Sequence, residues 1–118
     1  MTISVYVDGA GGDDSGYGYY VKETGESFYE KKPNITNNQA EYLAIISALK
    51  KFENSNEDIT IFSDSKNTVF QLNHEYAINN EQLKALAREA WPLITKFSNL
   101  KIEWIPRSEN LAGKMLGS

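Results

Sequence analysis

The sequence predicts an α/β protein with a single five-stranded mixed sheet, a three-strand antiparallel meander plus two parallel strands, flanked by helices. Three observations carry this. Short segments rich in β-branched and aromatic residues alternate with period two, as half-buried strands do. The first three follow one another across Gly- and Asp-rich turns, the way antiparallel neighbours connect. Beyond them, helical and strand-like segments take turns, the way parallel neighbours connect.

The first strand is Ile3-Ser4-Val5-Tyr6-Val7-Asp8, halted by the turn-forming run Asp8-Gly9-Ala10-Gly11-Gly12-Asp13-Asp14. Residues 16–22 and 27–31 are the second and third strands, joined by the hairpin turn Glu23-Thr24-Gly25-Glu26. Thr36-Asn37-Asn38 supplies capping side chains for a helix over 39–52, whose apolar face is Leu43, Ile46, Leu49 and Phe52. Lys50 and Lys51 close it, where cations suit the helix dipole. Residues 58–64 form the fourth strand and 65–73 a short helix. Residues 81–97 form a longer helix with Leu83, Leu86, Ala90, Leu93, Ile94 and Phe97 as its stripe and Pro92 as a kink point. Residues 100–105 are the fifth strand, and 110–118 a short C-terminal helix at most. Right-handed crossovers place the first and fourth strands side by side at the centre.

The chain of 118 residues suits one domain, residues 1–118. Hydrophobic residues make up 41%, enough for a core, so wholesale disorder is not expected. With no cysteine there is no disulfide framework, zinc–thiolate site or thiol nucleophile. No apolar run approaches the roughly 18 residues of a membrane span, and no signal peptide is visible, so a cytoplasmic protein without membrane association is expected. Lys and Arg number 12 against 16 Asp and Glu, a net charge of −4. That disfavours holding nucleic acid by charge alone, but not recruiting metal cations to do so.

The acids fall in informative places. Asp8 and Asp64 end the two strands expected to be parallel neighbours, and ligands of open α/β sheets bind at such carboxyl ends. Glu41 lies in the first turn of the first helix as predicted, close enough to strand ends to join them. Singly, each has an ordinary explanation: Asp8-Gly9 as a turn, Glu41 as a dipole-friendly helix residue, Asp64-Ser65 as a cap. Together, three carboxylates would repel unless a hard divalent cation held them, and two such ions can clamp the attacking and leaving oxygens of a phosphodiester.

Val7-Asp8-Gly9-Ala10, Thr36-Asn37-Asn38-Gln39-Ala40-Glu41, Phe62-Ser63-Asp64-Ser65 and Trp104-Ile105-Pro106-Arg107-Ser108-Glu109-Asn110 together resemble the ribonuclease H type I family, in order and spacing, over essentially the whole chain. The resemblance implies a ribonuclease H-like fold and Mg²⁺-dependent cleavage of the RNA strand of RNA–DNA hybrids by a monomer, with Mn²⁺ as the alternative ion. Asp8, Glu41 and Asp64 match the first three catalytic carboxylates: Asp8 bridging two metals, Glu41 on the leaving side, Asp64 on the nucleophile side. Gly9, Ala10, Ser65, Asn37 and Asn38 match substrate-contacting positions, the two amides at the minor groove and its 2′-hydroxyls. Thr36 and Asn79 match a pocket for a DNA phosphate, although the arginine that often accompanies them is replaced, Asn34 standing two residues before Thr36.

The chain departs from the family pattern in three places. The fourth carboxylate belongs four residues after Asn110, where Lys114 stands, a cation expected to modulate the site and weaken its second metal. The catalytic-loop histidine has no counterpart between Trp104 and Asn110; His74, the sole histidine, is expected to have a surface role. The basic hybrid-binding protrusion is absent, the link from Asn73 to Glu81 carrying no Lys or Arg. The expected function is hybrid hydrolysis, the alternative a catalytically impaired nucleic-acid-binding domain, and a remote third an unrelated α/β binding module.

Overall fold

The computed structural model describes residues 2–115, with only the backbone described at Met115; residues 116–118 of the expected C-terminal helix lie outside the described residues. The strands are β1 (Thr2–Ala10), β2 (Gly16–Val21), β3 (Ser27–Lys31), β4 (Asp58–Ser63) and β5 (Leu100–Trp104). The helices are α1 (Asn37–Phe52), α2 (Lys66–Leu72), α3 (Glu81–Ile94) and α4 (Leu111–Met115), with a 3-10 turn at Arg107–Glu109. The sheet order is β3-β2-β1-β4-β5. β1 and β2, and β2 and β3, pair antiparallel, while β4 runs parallel to β1 and β5 parallel to β4. The carboxyl ends of β1, β4 and β5 therefore share one edge. Tyr6 lies opposite Phe62, so Asp8 and Asp64, each two residues further on, reach that edge on adjacent strands about 4.8 Å apart.

β1 does not stop at Asp8. It runs to Ala10, with Gly9 opposite Tyr17 and Ala10 opposite Gly16. Gly9 is thus a strand residue rather than a turn residue, and its lack of a side chain has a different use: a Cβ there would lie 2.5 Å from the backbone C and O of Ala40. Gly11 is likewise pressed against the Thr36–Asn37 backbone. These two close approaches seat the start of α1 on the end of β1.

α1 begins two residues earlier than the sequence pattern suggests. Thr36 is its N-cap, accepting from the Gln39 N–H at 3.1 Å while the Gln39 side chain accepts from the Thr36 N–H at 2.9 Å, a reciprocal capping box. Glu41 consequently sits in the second turn rather than the first. The helix packs against β1 and β2 on one side and α3 on the other. It buries Tyr42, Ala44, Ile45, Ile46, Ala48 and Leu49, while Leu43 and Phe52 are only half-buried. The expected single stripe is too narrow because the helix is covered from two directions.

α2 ends in a Schellman closure: His74 takes φ 64°, its N–H donates to the Gln71 carbonyl at 3.1 Å, and the Glu75 N–H donates to Phe70 at 2.8 Å. The lone histidine therefore occupies a left-handed helix terminus, and its ring stacks on Trp91 at 4.9 Å. α3 stops at Ile94, two residues beyond Pro92, and the Lys96 and Phe97 N–H groups bond three residues back in a tightened final turn. The core lies between the sheet and the α1–α3 pair, around the fully buried Val5, Val7, Ile45, Leu49, Ile59 and Ile61.

Candidate metal centre and nucleic-acid cleft

Asp8, Glu41 and Asp64 converge: each offers a carboxylate oxygen, and these oxygens all lie within 4.8 Å of one another. Three elements position them. Asp8 is held in the β1–β2 ladder opposite Gly18. Asp64 follows the last residue of β4. Its backbone carbonyl accepts from the Trp104 indole N–H at 3.2 Å, and its Oδ2 accepts from the Asn110 amide at 3.1 Å. Glu41 reaches across from α1. Its Oε1 accepts from the Gly9 N–H at 3.1 Å, and its Oε2 accepts from the Ser63 hydroxyl at 3.3 Å. The Gly9 N–H is shared with Asp8 Oδ1 at 3.0 Å.

Glu41 is only 6% exposed. Burial, then the charges of Asp8 and Asp64, push its carboxyl up from 4.5 to about 8, against the lowering effect of the two hydrogen bonds. The positive charges nearby do not neutralise the cluster. Arg107 Nε stands 4.0 Å from Asp64 Oδ2 on a side chain 90% exposed, a distance and exposure at which an ion pair is worth little.

The donor set fits a hard divalent cation. It is all oxygen, part buried and short of positive charge, and opposite ligands of one Mg²⁺ stand roughly 4.2 Å apart at metal–oxygen distances near 2.1 Å. The oxygens need move only slightly to share an ion. Among the described residues no fourth acid joins them. Glu109 is exposed in the 3-10 turn, and Lys114 is exposed on α4.

The carboxylates open into a cleft of about 770 Å³. Gly9, Ala10, Asn37, Asn38 and Ser65 line it, and so does Lys114. Thr36 and Asn79 are not among its lining residues. The Thr36 hydroxyl is engaged in capping α1, and Asn79 is exposed just before Asn80, the N-cap of α3. A hydrogen bond from Gln39 to Gln82, 3.0 Å, ties their two segments together beside the cleft. Neither Asn37 nor Asn38 caps the helix. Asn37 Oδ1 accepts from the Gly11 N–H at 2.6 Å, which orients its amide nitrogen away from that loop.

Sequence reasoning assigned no role to four residues that the structure places here. Asn110 is buried, donating to the Val7 carbonyl at 2.9 Å as well as to Asp64, and accepting from the Ala112 N–H at 3.1 Å. Ser63 is wholly buried and bonds Glu41 and the Ser65 N–H. Arg107 and Tyr29 line the cleft. Ser63 and Asn110 each lie inside or at the end of a motif noted above. Tyr29 had no signal, because alternation does not say which face of an edge strand meets a cleft.

Residues 24–117 match the family model described as reverse transcriptase-like. "Putative hydrolase EbsB" of Enterococcus faecalis is 31% identical over 122 aligned positions, covering 97% of this chain and 90% of that protein. Ribonuclease HI of Halobacterium salinarum is 34% identical over 97 residues, 81% of this chain but 47% of its own length, so the chain spans about half of that relative. The crystal structure of RNase H1 from the same archaeon has a TM-score of 0.84, with 28% identity over 94% of this chain and 90% of that one. LC11-RNase H1, solved in complex with an RNA/DNA hybrid, shares the fold with a TM-score of 0.81 at 23% identity over 92% and 88% of the two chains. With its sheet order, its carboxylates at the parallel strand ends and these relatives, the chain belongs to the reverse transcriptase-like family and has a ribonuclease H-like fold.

Proposed function

We propose that this domain hydrolyses the RNA strand of RNA–DNA hybrids with Mg²⁺ held by Asp8, Glu41 and Asp64, Mn²⁺ serving as the alternative. The observation that carries the reading is the convergence of three carboxylates from three elements within 4.8 Å at the mouth of a polar cleft. A bound pair of divalent ions supplies a polarised phosphoryl group and a stabilised attacking and leaving oxygen. The protein's own part is positional. Ser63 and the Gly9 N–H aim Glu41, and Asn110 clamps Asp64 to the end of β1. Asn37 and Asn38 present short amides, which both donate and accept, to the 2′-hydroxyls that distinguish an RNA strand. Ser65, Gly9 and Ala10 line the cleft beside them.

Lys114 supports the second reading, a catalytically impaired nucleic-acid-binding domain, since it brings a cation without a ligand atom to the rim of the cleft. Cleavage of a labelled RNA–DNA hybrid, with duplex DNA and single-stranded RNA as controls and with Mg²⁺ or Mn²⁺, decides between them. Hybrid-specific cleavage that disappears in Asp8→Asn, with the fold intact by circular dichroism, is the expected result. Hybrid binding without cleavage in either ion favours the second reading, and neither binding nor cleavage overturns both.

A further inference from the structure

A domain of net charge −4 has few cations to offer a polyanion, so the placement of a free one beside exposed aromatic rings is informative. Trp104 is 41% exposed at the end of β5, and its indole N–H holds the backbone carbonyl of Asp64. Lys66 opens α2 just beyond Ser65 and sets its ammonium 5.8 Å from the ring centres of both Trp104 and Phe70. Phe70 in turn meets Tyr76 edge-on at 5.0 Å, and Tyr76 is 42% exposed. Lys66 forms no ion pair among the described residues. A line Trp104–Lys66–Phe70–Tyr76 thus starts at the backbone of a site carboxylate and runs away from the cleft along α2.

We infer that this line is a track for a nucleic-acid strand leaving the cleft past Asp64, with Lys66 taking a backbone phosphate and Trp104 and Tyr76 each offering a face to a base. The inference rests on the ribonuclease H reading of the cleft. Its chemistry is independent of the carboxylates: stacking on an aromatic ring is available to every base, and one lysine–phosphate contact releases about one condensed counterion. In the free protein the ammonium rests over two rings, so moving to a phosphate costs it only weak cation–π contacts. Continuity decides the occupant. A strand whose scissile phosphate sits at Asp64 must leave the site in some direction, and Trp104 is bonded to that residue.

The test is binding of a fluorescent RNA–DNA hybrid, blunt or with a single-stranded extension, followed by anisotropy over a range of salt. Ca²⁺, also an oxygen-seeking ion, replaces Mg²⁺, and a gel verifies that the hybrid survives. Lys66→Gln is expected to weaken binding about fivefold and reduce the magnitude of the salt slope by about one. Trp104→Leu is expected to weaken it about tenfold and Trp104→Phe far less, since stacking survives in phenylalanine. Wild-type binding with affinity and salt slope unchanged in Lys66→Gln overturns the track and leaves the function standing. No hybrid binding by the wild type removes both. Should Trp104→Leu fail to fold, Lys66→Gln decides alone, because Lys66 is exposed and outside the buried core.

Discussion

Glu41→Gln isolates the electrostatic cost of the candidate metal centre. In the metal-free fold the Glu41 carboxyl is raised from 4.5 to about 8, first by burial and then by Asp8 and Asp64. For an acid, a raised folded-state value means the folded protein holds a proton that the unfolded chain has already released. Stability is therefore greatest below about pH 4.5, declines as pH rises, and the contribution is gone above about pH 8. A shift of that size corresponds to at most about 5 kcal/mol, shared with the two coupled aspartates. Glutamine keeps both polar contacts, its oxygen accepting from Gly9 and its amide donating to Ser63, but never ionises. Urea unfolding in a chelator from pH 5 to 9 is the assay. Glu41→Gln is expected to match the wild type near pH 5 and to exceed it by about 2–4 kcal/mol near pH 9. Mg²⁺ is expected to restore the wild type and not the variant. A flat wild-type profile, or a variant less stable than the wild type at pH 9, refutes the reasoning.

Asn110→Ala leaves the Val7 carbonyl and the Ala112 N–H without the side-chain partner they have now, so a loss of about 2–4 kcal/mol is expected in chemical unfolding, with cleavage reduced through Asp64. Gly9→Ala drives a Cβ to 2.5 Å from the Ala40 backbone; a loss of about 1–3 kcal/mol in the same assay and a fall in hybrid cleavage are expected, and an unperturbed variant contradicts the close seating of α1. Lys114→Asp is expected to raise hybrid cleavage about tenfold, or roughly 1.4 kcal/mol of barrier, and to lower the Mg²⁺ concentration needed; unchanged kinetics would place Lys114 outside the metal centre's influence.

The fold was legible because its signals are local and repeated. Val5 and Val7 alternate with half-exposed neighbours on β1, and Thr36-Asn37-Asn38 marked the approach of a helix by their capping side chains. The boundaries that were misjudged involve contacts made at a distance. Asp8-Gly9 looks like a turn until Ala40 is seen to press on Gly9, and nothing within β1 announces that neighbour. Carboxylates at strand ends were legible as candidates because parallel topology brings such ends together. Asn110 was not, because its role depends on meeting Val7 and Asp64, residues 103 and 46 positions away.

On the proposed metal-dependent reading, folding and metal binding are linked at this site through the Glu41 carboxyl. Near neutral pH, below about 8, Glu41 holds its proton in the metal-free fold, so a cation must displace that proton before it gains the third oxygen. Apparent metal affinity then rises with pH up to that value and levels off beyond it. The same burial that makes the empty site costly at high pH makes the filled one more stabilising, since an ion bound only by the folded state adds RT ln(1 + [M]/Kd) to stability. Two opposed pH dependences follow from one residue, a falling metal-free stability and a rising metal affinity. Replacing Glu41 with a neutral side chain must remove both at once. Lys114 at the cleft rim is no substitute for that change, because it is not among the groups that set the Glu41 carboxyl.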